Sequence, residues 1–317
     1  MNLHQIDIVT DISAQGQRID LWLSQKYPDI SRGKIQEALK NGQCHIDHNP
    51  TSKAGHKLKP NQHITGQIPL DEPHFDAPQD LGLTPVYEDE HLMVMNKPAG
   101  MVTHPGHGNK DGTCLNGILH LSPNNDALPK SGLIHRLDKD TSGLLICAKT
   151  LSAYLKLNEM MQNRQISRIY DAFCWSLPYP TEGTIDAPIG RCPTHRTRMA
   201  IVASGKRAVT HYALKQYFSA ASLIECRLDT GRTHQIRVHM ASIGCPVIGD
   251  PVYKGTSWRY KGSQDIKHIL AYSQNIDRQA LHARELSFIH PITHEQLTFN
   301  APWPLELEQL HQLLSQL

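Results

Sequence analysis

The stretch HRLDKDTSGLLICAKT, residues 135–150, changes character halfway along. His135, Arg136, Asp138, Lys139 and Asp140 crowd its first half, and the run that follows is apolar without a break until Lys149. A continuous apolar run this short, opened by Ser-Gly and closed by Lys-Thr, reads as a strand buried on both faces. The segment after it, LSAYLKLNEMMQN, has helical spacing. Charges gathered at the mouth of a buried strand have two readings: a solvated loop of paired surface ions, or a carboxylate and a guanidinium held at a site of chemistry.

Further strands are expected at HLMVMNKPAG (residues 91–100), RIYDAFCWSL (168–177), KRAVTHYALKQYF (206–218) and SLIECRLDTG (222–231), the last alternating enough to be half-buried. THQIRVHMASIG (233–244) predicts a helix capped by Thr233 and ended by Gly244, with Ile236, Met240 and Ile243 inward. Leucines at helical spacing from Leu305 predict a packing helix at the end. Irregular connections outnumber crossover helices. The expected class is therefore α+β, a large mixed and mainly antiparallel sheet with flanking helices rather than a doubly wound parallel sheet.

A chain of 317 residues is long enough for two domains. With 39% hydrophobic and 20% charged residues it is ordinary globular material, and a net charge of +2 makes the distribution of charge more informative than its sum. No run approaches the ~18 apolar residues of a membrane span. The opening MNLHQIDIVTDISAQ has no basic region followed by an apolar block, so a cytoplasmic protein without a membrane partner is expected. Seven cysteines form no C-x-x-C pair, and twenty histidines form no H-E-x-x-H, so neither a disulfide framework nor a metal is expected.

Residues 71–85, DEPHFDAPQDLGLTP, hold four carboxylates, three prolines and no Lys or Arg, which predicts an acidic linker. It separates a module at 1–70 from a larger domain at 86–317. In the module, RIDLWLSQK places Ile19, Trp22 and Leu23 on one helical face; SRGKIQEALKNG starts at a Ser31 cap, continues through Ile35, Ala38 and Leu39, and stops at Gly42. Short strands follow near Cys44 and His63. Between residues 31 and 60, six Lys or Arg oppose two acids, a concentration suited to phosphates, with Arg32, Lys34, Lys40 and Lys57 as the expected contacts. Residues 17–68 resemble the S4 RNA-binding domain, which implies contacts to structured RNA and no catalysis.

In the larger domain, residues 187–224 carry six basic side chains and no carboxylate. Such segregation suits a groove that tracks a polyanion, with Arg196, Arg198, Lys206 and Arg207 as expected contacts. Tyr170, Tyr212 and Tyr217 offer faces for unpaired bases, or simply core packing.

The opening stretch is similar to the H-R-L-D-x-x-T-S-G-L-L signature of the RluA family of pseudouridine synthases. NKPAGMVTHPG (96–106), SRIYDAF (167–173), LDTGRTHQIRVHMASIGCPVIGDPVY (228–253) and LHARELSFIHP (281–291) agree with that family in the same order. The resemblance implies the pseudouridine synthase fold and makes Asp138 the essential carboxylate. It implies that Tyr170 stacks on the target base, that Arg237 pairs with Asp138, and that Arg136 assists extrusion of the nucleotide. One departure is Arg168, where the family commonly has Lys.

The implied reaction breaks the uracil N1–C1′ bond, turns the ring and joins C5 to C1′, with no net oxidation and no added group, so no cofactor is expected. The nucleotide must leave its stack, at a few kcal/mol. A carboxylate then acts either as a nucleophile on C1′ or as a base on the C2′ proton. A guanidinium beside it favours the ionised form against desolvation, and arginine keeps its charge and bonds bidentately. Within the family the resemblance implies a monomer acting on 23S ribosomal RNA or a large-subunit precursor, at the helix 69 stem-loop, with other 23S uridines as the alternative. A non-catalytic RNA-binding or ribosome-assembly factor would use the same basic surfaces but release no tritium from C5 of labelled uridine. A metal-dependent hydrolase would lose activity in chelator.

Overall fold

In the computed structural model, the apolar run becomes a strand, Ser142–Ala148, buried at every position. The structure describes residues 3–27, 30, 32–69, 77–106, 108–195, 197–253, 269, 271–272 and 276–316, and the chain divides into two units, residues 1–75 and 76–317. The expected Ser31 cap lies outside the described residues.

The first unit comprises β1 (Leu3–Val9), α1 (Ile19–Lys26), α2 (Arg32–Lys40), β2 (Cys44–Ile46), β3 (Asn49–Pro50) and β4 (His63–Pro69). Its antiparallel strands run in the order β1-β4-β2-β3. The expected helix faces are the core: Ile19, Trp22, Leu23, Ile35, Ala38 and Leu39 are buried together with Ile6, Ile64 and Ile68 of the sheet. Between the helices the Asp20 side chain is fully covered and takes hydrogen bonds from Arg18, Arg32 and Gln36.

The second unit adds β5 (Pro85–Glu88), β6 (Leu92–Lys97), α3 (Cys114–Leu121), β7 (Ser142–Ala148), α4 (Leu151–Gln162), β8 (Ser167–Trp175), β9 (Glu182–Asp186), β10 (Ile189–Arg191), β11 (Met199–Ile201), β12 (Val209–Phe218), β13 (Ala221–Leu228), α5 (Gln235–Ser242), β14 (Leu281–Ile289), β15 (Gln296–Asn300) and a final helix, Leu305–Ser315. Among the described residues, one sheet of nine strands runs β5-β6-β7-β14-β8-β13-β12-β9, with β15 also on β14. All its pairings are antiparallel except β7 with β14, as the class predicted. Lying between β8 and β12, β13 is buried beyond the expected half: only Arg227 of its eight residues is exposed.

Two expectations shift. Residues 77–84 do not hang free as linker. The Ala77 carbonyl accepts from Asn116 Nδ2, the Gln79 amide donates to the Asn116 carbonyl, and Leu83 packs beside Gly117 of α3. Helix α5 starts at Gln235, because His234 lies in the left-handed region (φ 57°) and breaks the run that Thr233 was expected to cap. Gln235 organises the turn before it, its Oε1 accepting from Thr230 Oγ1 and the Arg232 amide.

Candidate active site

Asp138 opens the turn into β7, its carbonyl accepting from the Thr141 amide at 3.1 Å. The turn is clamped from several sides. Thr103 Oγ1 donates to the Leu137 carbonyl and accepts from the Leu137 amide. The Lys97 ammonium, fully buried, donates to the carbonyls of Pro98, Met101 and Lys139, so each of its protons has an acceptor. Burial pushes the Lys97 amine down to about 8, which leaves it mostly charged at neutral pH. Arg278 donates to the Asp140 carbonyl, and Gln279 Nε2 donates to Thr141 Oγ1. Gly143 lets β7 approach β14: with φ at 115°, a Cβ there would stand 2.3 Å from the Ala283 oxygen. Together these contacts aim one short side chain.

Arg237, on α5, reaches that side chain but divides its fork. Nη1 donates to Asp138 Oδ2 at 3.1 Å, while Nε and Nη2 donate to the two oxygens of Asp250 at 2.6 and 2.9 Å. The expected pair therefore exists, but the bidentate partner is Asp250, which sequence reasoning missed. The only signal for it was its place in GDPVY, where no periodicity points to a site. Asp250 is buried and also accepts from the Val252 and Tyr253 amides. Burial opposes its ionisation, and Arg237 outweighs that, holding the carboxyl below its ordinary value. Burial likewise opposes the Arg237 charge, and Asp250 and Asp138 raise its pKa above the usual arginine value. Asp138 Oδ1 accepts no hydrogen bond from any described residue.

Asp138, Arg136, Tyr170 and Arg237 line one cavity of about 50 Å³, with Leu228 and Leu281 on its apolar wall. All four residues proposed for the reaction are thus brought together. Tyr170 is 5% exposed on β8, and burial raises its hydroxyl pKa. Arg136 stands exposed at the rim. The cavity shares Arg136, Arg168, Gly231 and Arg232 with a wider cleft of about 560 Å³, whose walls also carry Lys130, Arg164 and Arg207. A basic cleft opening onto a recess that sets a carboxylate opposite a tyrosine and an apolar wall fits a polyanion that inserts one base.

The expected RNA contacts are dispersed. Of the larger unit's set, Arg207 lines the cleft, although its guanidinium also holds Asp186. Arg198 and Lys206 are exposed near the β10–β11 hairpin, and Arg196 lies outside the described residues. In the first unit Lys40 and Lys57 are exposed and Lys34 is half-buried. Arg32 is exposed, and its Nε and Nη2 both donate to Asp20, an intramolecular pairing like that of Arg207 with Asp186. Charge counting missed Lys130, Arg164 and Arg232, which lie outside the segment free of acids or at motif positions.

With this geometry in hand, the comparisons with known proteins converge. Residues 91–242 match the family model described as RNA pseudouridylate synthase. The chain is 43% identical over 298 residues to a Ribosomal large subunit pseudouridine synthase D of Xanthomonas campestris, covering 94% of this chain and 89% of that one. It is 41% identical over 300 residues to the protein of that name from Escherichia coli (strain K12), covering 94% and 91%. Among solved structures, Human RNA Pseudouridylate Synthase Domain Containing 4 matches with a TM-score of 0.57 and 26% identity, over 73% of this chain and 92% of that one. Human RNA Pseudouridylate Synthase Domain Containing 1 gives 0.54 and 25%, over 75% and 97%. On this likeness over nearly its whole length, the chain belongs to the RluA family of pseudouridine synthases.

Proposed function

We propose that this enzyme isomerises uridine to pseudouridine in the 23S RNA of the large ribosomal subunit, at the helix 69 stem-loop, with Asp138 as the essential carboxylate. The names of the relatives support the ribosomal substrate. The observation that carries the chemical assignment is the convergence of Asp138, Tyr170, Arg136 and Arg237 on one recess at the floor of the cleft. The everted uridine enters from the basic side, and Tyr170 faces its ring. Oδ1 is the oxygen that acts at the sugar, on C1′ as nucleophile or on the C2′ proton as base, because Arg237 occupies Oδ2. The recess is narrow, so the nucleoside widens it on entry; contacts made there offset the few kcal/mol of unstacking.

The first unit, in this reading, is an S4-type module, with Lys40 and Lys57 facing RNA phosphates. No described helix is long and apolar enough to cross a membrane. The protein acts as a monomer in the cytoplasm, where the ribosomal precursor is made. The test is to incubate it with large-subunit RNA carrying 5-tritiated uridine and to map pseudouridine in ribosomal RNA from cells lacking the gene. Tritium release, with missing pseudouridines confined to helix 69, is expected. Release with losses elsewhere in 23S RNA would move the target, and no release would refute the activity.

A further inference from the structure

His234 immediately precedes α5 and lines the same recess as Asp138. It is a non-glycine residue held at φ 57°, a left-handed conformation that carries strain and persists only where its surroundings enforce it. Its ring is fixed on two sides. Nδ1 lies 2.8 Å from the Tyr253 hydroxyl, and the two rings meet edge to face at 5.5 Å. Nε2 stands 4.0 Å from Asp138 Oδ2, the oxygen that already holds Arg237. The Tyr253 hydroxyl accepts from the Met199 amide at 2.9 Å. An amide only donates, so the hydroxyl proton is available to Nδ1, an arrangement that leaves no proton there unpaired. The ring's own proton then sits on Nε2 and points toward Asp138. Burial also favours the neutral ring, against the opposing pull of Asp138.

We infer that His234, oriented by Tyr253, is a positioning residue that donates Nε2–H to Asp138 Oδ2 as the second partner beside Arg237. This rests on the reading of Asp138 given above. With two donors on Oδ2, the carboxylate cannot rotate to exchange its oxygens, and Oδ1 stays directed at the sugar. The present 4.0 Å shortens to hydrogen-bond length when a nucleoside fills the recess, as contacts in unliganded sites commonly do. The same link ties the site to the basic hairpin, because Met199 begins β11.

The test uses the full-length protein in single-turnover reactions on a saturating large-subunit RNA fragment, with RNA affinity and thermal melting measured separately. His234→Asn is the main variant: asparagine tolerates the left-handed backbone, yet its side chain is too short to reach Asp138. A rate loss of roughly 30- to 100-fold is expected, with affinity within about twofold, as for a displaced reacting group. His234→Gln, which restores an N–H of similar reach, should recover part of the rate. Tyr253→Phe should slow the wild-type enzyme and add nothing to His234→Asn. An unchanged rate in His234→Asn beside an inactive Asp138→Ala overturns the inference alone. An active Asp138→Ala overturns the reading beneath it. Parallel loss of rate, affinity and melting temperature would mean that His234 only supports the fold, and would also overturn the inference.

Discussion

Asp20 in the first unit and Asp138 in the second are both covered carboxylates beside guanidinium groups, yet their hydrogen bonding differs completely. Asp20 has a side chain with 0% exposure and is bonded on both oxygens, by Arg18, Arg32 and Gln36. Asp138 is 16% exposed, bonds through Oδ2 alone among the described residues, and has the rest of its guanidinium partner drawn off by Asp250. A carboxylate bonded on both oxygens and shut off from solvent ties two helices together and presents no oxygen to a substrate. A half-satisfied one at the floor of a cleft keeps an oxygen for chemistry. Arginine beside an aspartate thus means different things, and the difference lies in whether one oxygen is left without a donor.

The sharpest way to break the comparison is to remove the group that completes Arg237. Asp250→Ala leaves a buried guanidinium with one partner, which should destabilise the second unit by about 3–5 kcal/mol in urea titrations and abolish turnover. A stable, active Asp250→Ala would show that Arg237 needs only Asp138. Next in size is Gly143→Ala, whose Cβ meets the Ala283 oxygen at 2.3 Å with φ at 115°. Strain of at least about 1–3 kcal/mol and a displaced Asp138 turn should appear as a lowered melting temperature and a reduced rate. Asp20→Asn should lower the melting temperature of the first unit, while the chemical rate on bound RNA stays unchanged; a slower chemical step would erase the contrast.

The smallest effect is in acid. Both Asp20 and Asp250 are held below the ordinary aspartate value, in each case because arginine hydrogen bonds outweigh the opposing effect of burial. The unfolded chain therefore takes up these protons first, and stability rises with pH wherever it binds more of them. Their contribution is complete above about pH 3.8, the unshifted value, and is lost as the pH falls through the lower folded values. Asp20→Asn should flatten that acid slope for the first unit in pH-dependent melting.

The sequence was readable where local pattern and structure share a period. The unbroken apolar run from Gly143 became β7, the helical faces at Ile19 and Ile35 became the first core, and the motif residues Asp138, Tyr170 and Arg237 met in one cavity. What stayed hidden depends on partners distant in the chain. The pairing of Arg32 with Asp20, twelve positions earlier and on another helix, is invisible to a count of charges. Asp250, thirteen positions from Arg237, has no periodicity that announces a bidentate pair. Lys97 looked like the end of a strand, and its burial beneath three carbonyls follows only from the tertiary path of the Asp138 turn. The start of α5 was displaced because a left-handed histidine is set by tertiary contacts to Tyr253 rather than by helix propensity.

The central claim is that Asp138 supplies the chemistry and not the grip on RNA. Single-turnover pseudouridine formation by Asp138→Asn, measured beside RNA affinity, tests it most directly. Loss of the rate by about a thousandfold or more, with affinity within a few-fold, is the predicted result. Retained turnover, or a matching fall in affinity and rate, would contradict it.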